Sequence, residues 1–201
     1  MDQSSSAPVA PLLSEPDPHA DVKAGYRFPN VTFRGAEWSF GHLEPFAFRE
    51  EIKPGLVVDV VVLFTSHCFT HSRRKDTRTQ VPVEEIYWDG QEERVLNEQR
   101  YLLSKRYLRG LEALLRAQHA RALGGAQSNY ATFTAMDEAG RPVHYAIFFE
   151  VNKDRKRKKR LLLRVQSAYV LDELTNRQKD ARKVRLAILL RRAYSGEKVV
   201  R

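Results

Sequence analysis

The chain holds a single cysteine, Cys68, among 201 residues. One cysteine excludes an internal disulfide framework, and a reducing compartment is the expected setting. No run of 18 apolar residues occurs, so no membrane-spanning helix and no membrane partner are expected. The start, Met1-Asp2-Gln3-Ser4-Ser5-Ser6, lacks the basic and apolar regions of a signal peptide, which leads to a cytoplasmic expectation. Neither a Walker A loop nor a GxGxxG turn is present, which argues against nucleotide hydrolysis and dinucleotide redox chemistry. CxxC and HExxH spacings are missing too, so neither a metal nor a cofactor is expected.

What is there is charge, unevenly spread. The formal net charge is +9. Residues 151–201 carry 17 Lys+Arg against 5 Asp+Glu, while residues 1–150 carry 17 against 20. The last quarter is thus +12 and the rest −3. Such a split points to a polyanion facing one surface. At 42% hydrophobic and 29% charged residues the chain reads as globular, long enough for one domain with a real core.

Residues 1–25 are rich in Ser, Pro and Asp and lack periodicity, so a disordered tail is expected there, with a single domain over 26–201. The tail's −3 charge would let it fold back on the basic quarter as a competitor for nucleic acid. Residues 26–33 and 36–43 read as short strands around Arg34-Gly35. The strongest strand signal is Leu56–Phe64, β-branched and apolar at nearly every position, which predicts burial of both faces. Polar residues 72–82 predict an exposed loop, and 84–88 a strand turning at Asp89-Gly90. Over 96–121 the spacing of Leu103, Tyr107, Leu111, Leu114 and Leu115 predicts one long helix, with Asn97 as its cap and Gly124-Gly125 beyond its end. Strands at 130–136, 143–151 and 161–170 follow, then a C-terminal helix over 171–194. The fold class is α+β, with a mostly antiparallel sheet, a long central helix and a C-terminal helix.

Two basic features dominate. Residues 153–160 hold seven cations in eight positions between two strands, a hairpin tip whose charges repel one another. Arg155, Lys156, Arg157, Lys158, Lys159 and Arg160 are candidate phosphate ligands there, with Arg182, Lys183 and Arg185 on the last helix. Such contacts position a nucleic acid without reading its sequence. Tyr130, Tyr145 and Tyr169 are aromatics that could stack on bases, a mode that favours RNA over DNA as partner.

The densest set of reactive side chains is residues 64–71, Phe-Thr-Ser-His-Cys-Phe-Thr-His. In an extended strand His67 and His71 would sit roughly 13 Å apart, too far to share an ion unless the chain turns. A metal-free ribonuclease needs a base, a cation for the phosphorane and an acid. His67 or His71 supplies imidazole, Arg100 the cation, and Glu150 or Tyr169 a proton role. Cys68 as a nucleophile lacks the helix N-terminus or glycine-rich loop that would activate it, and core burial is its expected role.

The blocks Trp38-Ser39-Phe40-Gly41-His42-Leu43, residues 64–70, Arg100-Tyr101, Phe148-Phe149-Glu150-Val151 and Ser167-Ala168-Tyr169 resemble those of a group of small bacterial proteins from plasmids and integrated elements. The resemblance spans residues 36–172 and implies no particular reaction. A helix followed by an antiparallel meander also resembles the metal-independent nucleases that include barnase, EndoU and RelE toxins. That likeness implies RNA cleavage by residues of the helix and sheet, although the strands before residue 64 have no place in the minimal unit. Three readings stay open: a ribonuclease-like toxin or mobile-element effector, a non-enzymatic nucleic-acid-binding module, and an adaptor whose basic face meets an acidic protein.

Overall fold

The computed structural model describes residues 17–117, 120–122, 128–137 and 139–197. Its first element is a single helical turn, α1 (Ala20–Lys23). A small hairpin follows, β1 (Val31–Phe33) and β2 (Ala36–Trp38), closed by Arg34 and Gly35 at φ 50° and 79°. Two left-handed residues are what a two-residue hairpin loop demands. Next come β3 (Phe46–Lys53) and β4 (Leu56–Phe64), then β5 (Thr70–Ser72), β6 (Ile86–Trp88) and β7 (Glu93–Leu96). The helices α2 (Glu98–Tyr107) and α3 (Leu111–Ala117) precede β8 (Ala120–Ala122), β9 (Ser128–Met136), β10 (Pro142–Lys153) and β11 (Arg160–Leu171). The chain ends in α4 (Asn176–Lys179), β12 (Arg182–Val184) and α5 (Leu186–Ser195).

The main sheet has seven strands in the order β12-β8-β9-β10-β11-β4-β3. Every pairing in it is antiparallel except β11 with β4. The expected α+β class and the antiparallel meander are both seen. Val60, Val61, Val62 and Leu63 are fully buried in β4, with Phe64 1% exposed, so its second half is covered on both faces as expected, whereas its start is open, with Val57 45% exposed. It anchors the core, flanked by β3 and β11. A second sheet, β5-β7-β6, brings residues 66–96 around the end of β4.

The long helix expected over 96–121 is two helices joined by a 3-10 turn, Leu108–Gly110. Gly110 lowers helix propensity at the break, and the turn lets Leu108, Leu111 and Leu115 all bury. Asn97 is the cap, its Oδ1 accepting the Arg100 N–H at 2.9 Å. The C-terminal helix also differs from expectation: α5 starts only at Leu186. Leu186, Leu189 and Leu190 give it an apolar stripe, whereas Leu174, Ala181 and Val184 are too sparse to extend it backward, and only the single turn α4 precedes it. Val184 instead buries in β12, and Gly196 at φ 71° ends α5.

Of the tail expected over 1–25, residues 1–16 lie outside the described residues, and from Asp17 onward the chain forms a turn beside the sheet. Asp17 caps the turn at His19, and Lys23 pairs with Asp17 at 2.8 Å. His19 is buried, 4.0 Å from Asp59 of β4. Residues 17–26 therefore lie on the sheet as an ordered strap. Among the described residues no helix is long and apolar enough to cross a membrane.

Candidate nucleic-acid interface and the His67 corner

The turn after β4 is what gathers the candidate reactive residues. Thr65 N–H donates to Val165 carbonyl at 3.1 Å, and its Oγ1 donates to Gln166 carbonyl at 2.7 Å. These bonds end the strand, and Ser66–Cys68 form a 3-10 turn. His67 is thereby turned outward, its side chain 41% exposed, while Cys68 is fully buried. Burial pushes the Cys68 thiol up to about 12, and the side chain packs in the core as expected.

Arg100 reaches this turn from the first turn of α2. Its Nη1 donates to the carbonyls of His67 (3.0 Å) and Thr70 (2.8 Å). Its guanidinium carbon lies 4.6 Å from the Tyr169 ring centre, and that ring stacks on Phe148 at 5.4 Å. Arg100 thus touches the backbone of His67 and the ring of Tyr169, while the His67 imidazole faces Asp89. Arg100, however, staples the turn: burial lowers its pKa, and one nitrogen is committed to two carbonyls.

Four residues that sequence reasoning passed over complete the corner. Asp89 Oδ1 accepts the N–H groups of Gln91 and Glu92, both at 2.9 Å, and its Oδ2 faces His67 Nε2 at 3.7 Å. Arg94, 4% exposed, donates from Nε to Thr70 Oγ1 at 2.8 Å and from Nη1 to Glu92 at 2.5 Å. Burial lowers the His67 pKa, with the Arg94 charge acting in the same direction and Asp89 opposing it. His67, Asp89 and Glu92 lie close enough to share an ion, and the single Arg94 guanidinium pairs with Glu92 at 2.5 Å and lies 3.9 Å from Asp89. The Asp89-Gly90 turn was legible in the sequence; an arginine buried beside Val95 carried no signal.

His71 and Glu150 stand apart. His71 Nε2 is 3.0 Å from Asp76 Oδ2, and Asn97 Nδ2 donates to its Nδ1 at 3.3 Å, so both ring nitrogens are engaged. It lines a shallow cleft of about 410 Å³ with Asp76, Arg78, Glu85 and Arg34, whose charges pair with one another. Glu150 pairs with Arg164 across the β10–β11 ladder at 3.4 Å. Arg164 is five residues from Tyr169, roughly 16 Å along the strand.

The basic region divides in two. The β10–β11 tip is closed by Asp154, whose N–H donates to Arg160 carbonyl at 3.0 Å and whose Oδ1 accepts from Lys156 N–H at 2.8 Å. Lys159 takes a left-handed φ of 61°, and its carbonyl accepts from Asp59 N–H at 2.8 Å. Arg155, Lys156, Arg157, Lys158 and Lys159 are all exposed on this pinned turn. Arg160 is not among the free cations expected there. It is 2% exposed and held between Asp154 and Asp21.

Lys153, at the tip's base, sits 4.2 Å over the Tyr194 ring of α5. That contact brings the end of α5 carrying exposed Arg191 to the tip. Lys183 and Arg185 are exposed but lie before α5, at its other end, roughly 14 Å from Tyr194. They extend the positive surface without adjoining the tip. Of the stacking candidates, Tyr145 is fully buried and Tyr169 is covered by Arg100. The side chains of Tyr130 and Arg182 lie outside the described residues.

The model of the YjaZ family matches residues 30–194, and the chain belongs to that family. No curated protein and no solved structure matches the chain.

Proposed function

We propose that this protein binds nucleic acid through phosphate contacts made by the β10–β11 tip and the adjoining end of α5, without cutting it. The observation that carries the reading is the exposure of five successive cations, Arg155 to Lys159, on a turn pinned at its base. Five like charges in a row raise the energy of the free protein, and a polyanion relieves that repulsion while releasing counterions. Lys159 adds to the argument. A glycine would adopt its φ at less cost, so the chain accepts a backbone penalty of about 1 kcal/mol where a cation stands.

The ribonuclease reading keeps one supporting observation, that Arg100 touches both the His67 backbone and the Tyr169 ring. Against it, Arg100 is spent on two carbonyls, both nitrogens of His71 are engaged, and Glu150 is distant and paired. RNA is the preferred partner, because a tip fits single strands and bulges as readily as a groove. The test is binding of a fluorescein-labelled 20-nucleotide RNA at salt concentrations from 50 to 300 mM. Log affinity should fall with log salt at a slope of about −3 to −5, the value for some five phosphates. Absence of binding at 50 mM overturns the proposal; intact label after incubation in EDTA separates binding from cleavage.

A further inference from the structure

The strap of residues 17–26 meets the basic surface at three points. Asp21 Oδ1 and Oδ2 accept from Arg160 Nη1 and Nη2, each at 2.8 Å. Arg157 Nη1 donates to the Pro18 carbonyl at 2.5 Å, and Arg164 Nη2 reaches the Tyr26 hydroxyl. The Asp21 grip is bidentate, two parallel N–H···O bonds to one planar fork. That is also the geometry in which a guanidinium holds a phosphate. Asp154 binds the other side of Arg160, from below, within the tip. Asp21 lies on the outward side: its side chain is 43% exposed while that of Arg160 is 2%.

We infer that Asp21 is a built-in phosphate mimic, and that the strap is an intramolecular competitor which a nucleic-acid phosphate displaces from Arg160 and Arg157. The inference rests on the nucleic-acid reading above and assigns its regulation. Removing Asp21 from Arg160 opens a fork next to the five exposed cations of the tip. A phosphate arriving there takes over both hydrogen bonds, so no buried donor is orphaned in the exchange. Asp154 stays in place and keeps Arg160 oriented. The strap holds itself weakly: one helical turn, with Val22 and Lys23 N–H both donating to His19 carbonyl at 3.1 Å. A single turn has little stability apart from its dock.

The same RNA serves as probe, and inorganic phosphate at equal phosphate concentration serves as control. Asp21→Asn should bind the RNA about fivefold more tightly, the gain expected when one exposed ion-pair competitor is removed. Its salt slope should stay that of the unaltered protein, because both complexes hold the same phosphates. In the unaltered protein, hydrogen exchange at Val22 and Lys23 should quicken when RNA is added and stay unchanged with inorganic phosphate. Equal affinity in the variant, with a normal melting curve, overturns the competitor and leaves the binding reading standing. Unchanged or slower exchange on RNA binding overturns it as well. Equal release by inorganic phosphate would make free phosphate the ligand and overturn competition with nucleic acid. Failure of both proteins to bind RNA removes the reading and the regulation together.

Discussion

The β10–β11 tip and the His67 corner are both built around arginine, and they use it in opposite ways. In the corner, Arg94 and Arg100 turn inward. Their nitrogens are taken up by a hydroxyl, a carboxylate and two carbonyls, so they hold a turn in shape. At the tip, residues 155–159 point outward from a turn that Asp154 and Asp59 already close. Apart from Arg157, which donates to the Pro18 carbonyl, their side chains hold no other element. The contrast teaches that a cation's meaning lies in whether its donors are satisfied internally. Arg160 joins the two cases: it belongs to the basic run by sequence and to the buried kind by its carboxylates.

The comparison breaks most readily at the tip. Reversing three charges, Arg155→Glu, Lys156→Glu and Lys158→Glu, should weaken RNA binding about a thousandfold at 100 mM salt. The melting temperature should be unchanged, since these side chains hold nothing. A matching loss of stability would show that the tip, like the corner, is structural.

A smaller effect is expected from acid, beneath the corner. His42 is buried against Tyr101 and Phe40, with Nε2 2.8 Å from Ser104 Oγ. The Ser104 hydroxyl donates to the Tyr101 carbonyl at 2.8 Å, so His42 Nε2–H must donate to it. Burial, then the charges of Lys105 and Arg109, lower the His42 pKa to about 4. An unfolded histidine takes up its proton near pH 6.5, so between these values the unfolded chain binds more protons. Stability contributed at pH 7 is therefore lost as pH falls from 6.5 to 4, by about 3 kcal/mol. Urea unfolding at pH 7.5 and 4.5 measures it, and His42→Gln, which keeps the donor and cannot titrate, should flatten that part of the profile.

The smallest effect sharpens the corner's side of the contrast. Arg100→Ala should cost about 2 kcal/mol in urea unfolding, because two carbonyls lose a charged donor. RNA affinity of the folded protein should stay within twofold of the unaltered chain. A large loss of binding with little loss of stability would instead place Arg100 against the ligand.

Much of the fold was legible because its signals are local. Leu56–Phe64 could be read as a two-sided strand because nine adjacent residues say the same thing. Asn97 could be read as a cap because it precedes the periodic residues. The breaks were not legible. Gly110 inside a leucine-rich pattern did not announce a 3-10 turn, and the polar residues 172–185 were read as helix because their charges happen to suit one face. The strap was missed for a similar reason: a Ser- and Pro-rich start looks solvated until a distant partner such as Arg160 is known.

By itself, then, the sequence determined the class of fold, the central strand, the basic quarter and the hairpin that carries it. These follow from composition and from periods of two or four residues. Tertiary structure alone decided which cations stay free. Arg160 meets Asp21 across 139 positions, and Arg100 meets His67 across 33. Charge neutralisation is settled by distance in space, which a run of adjacent residues does not encode.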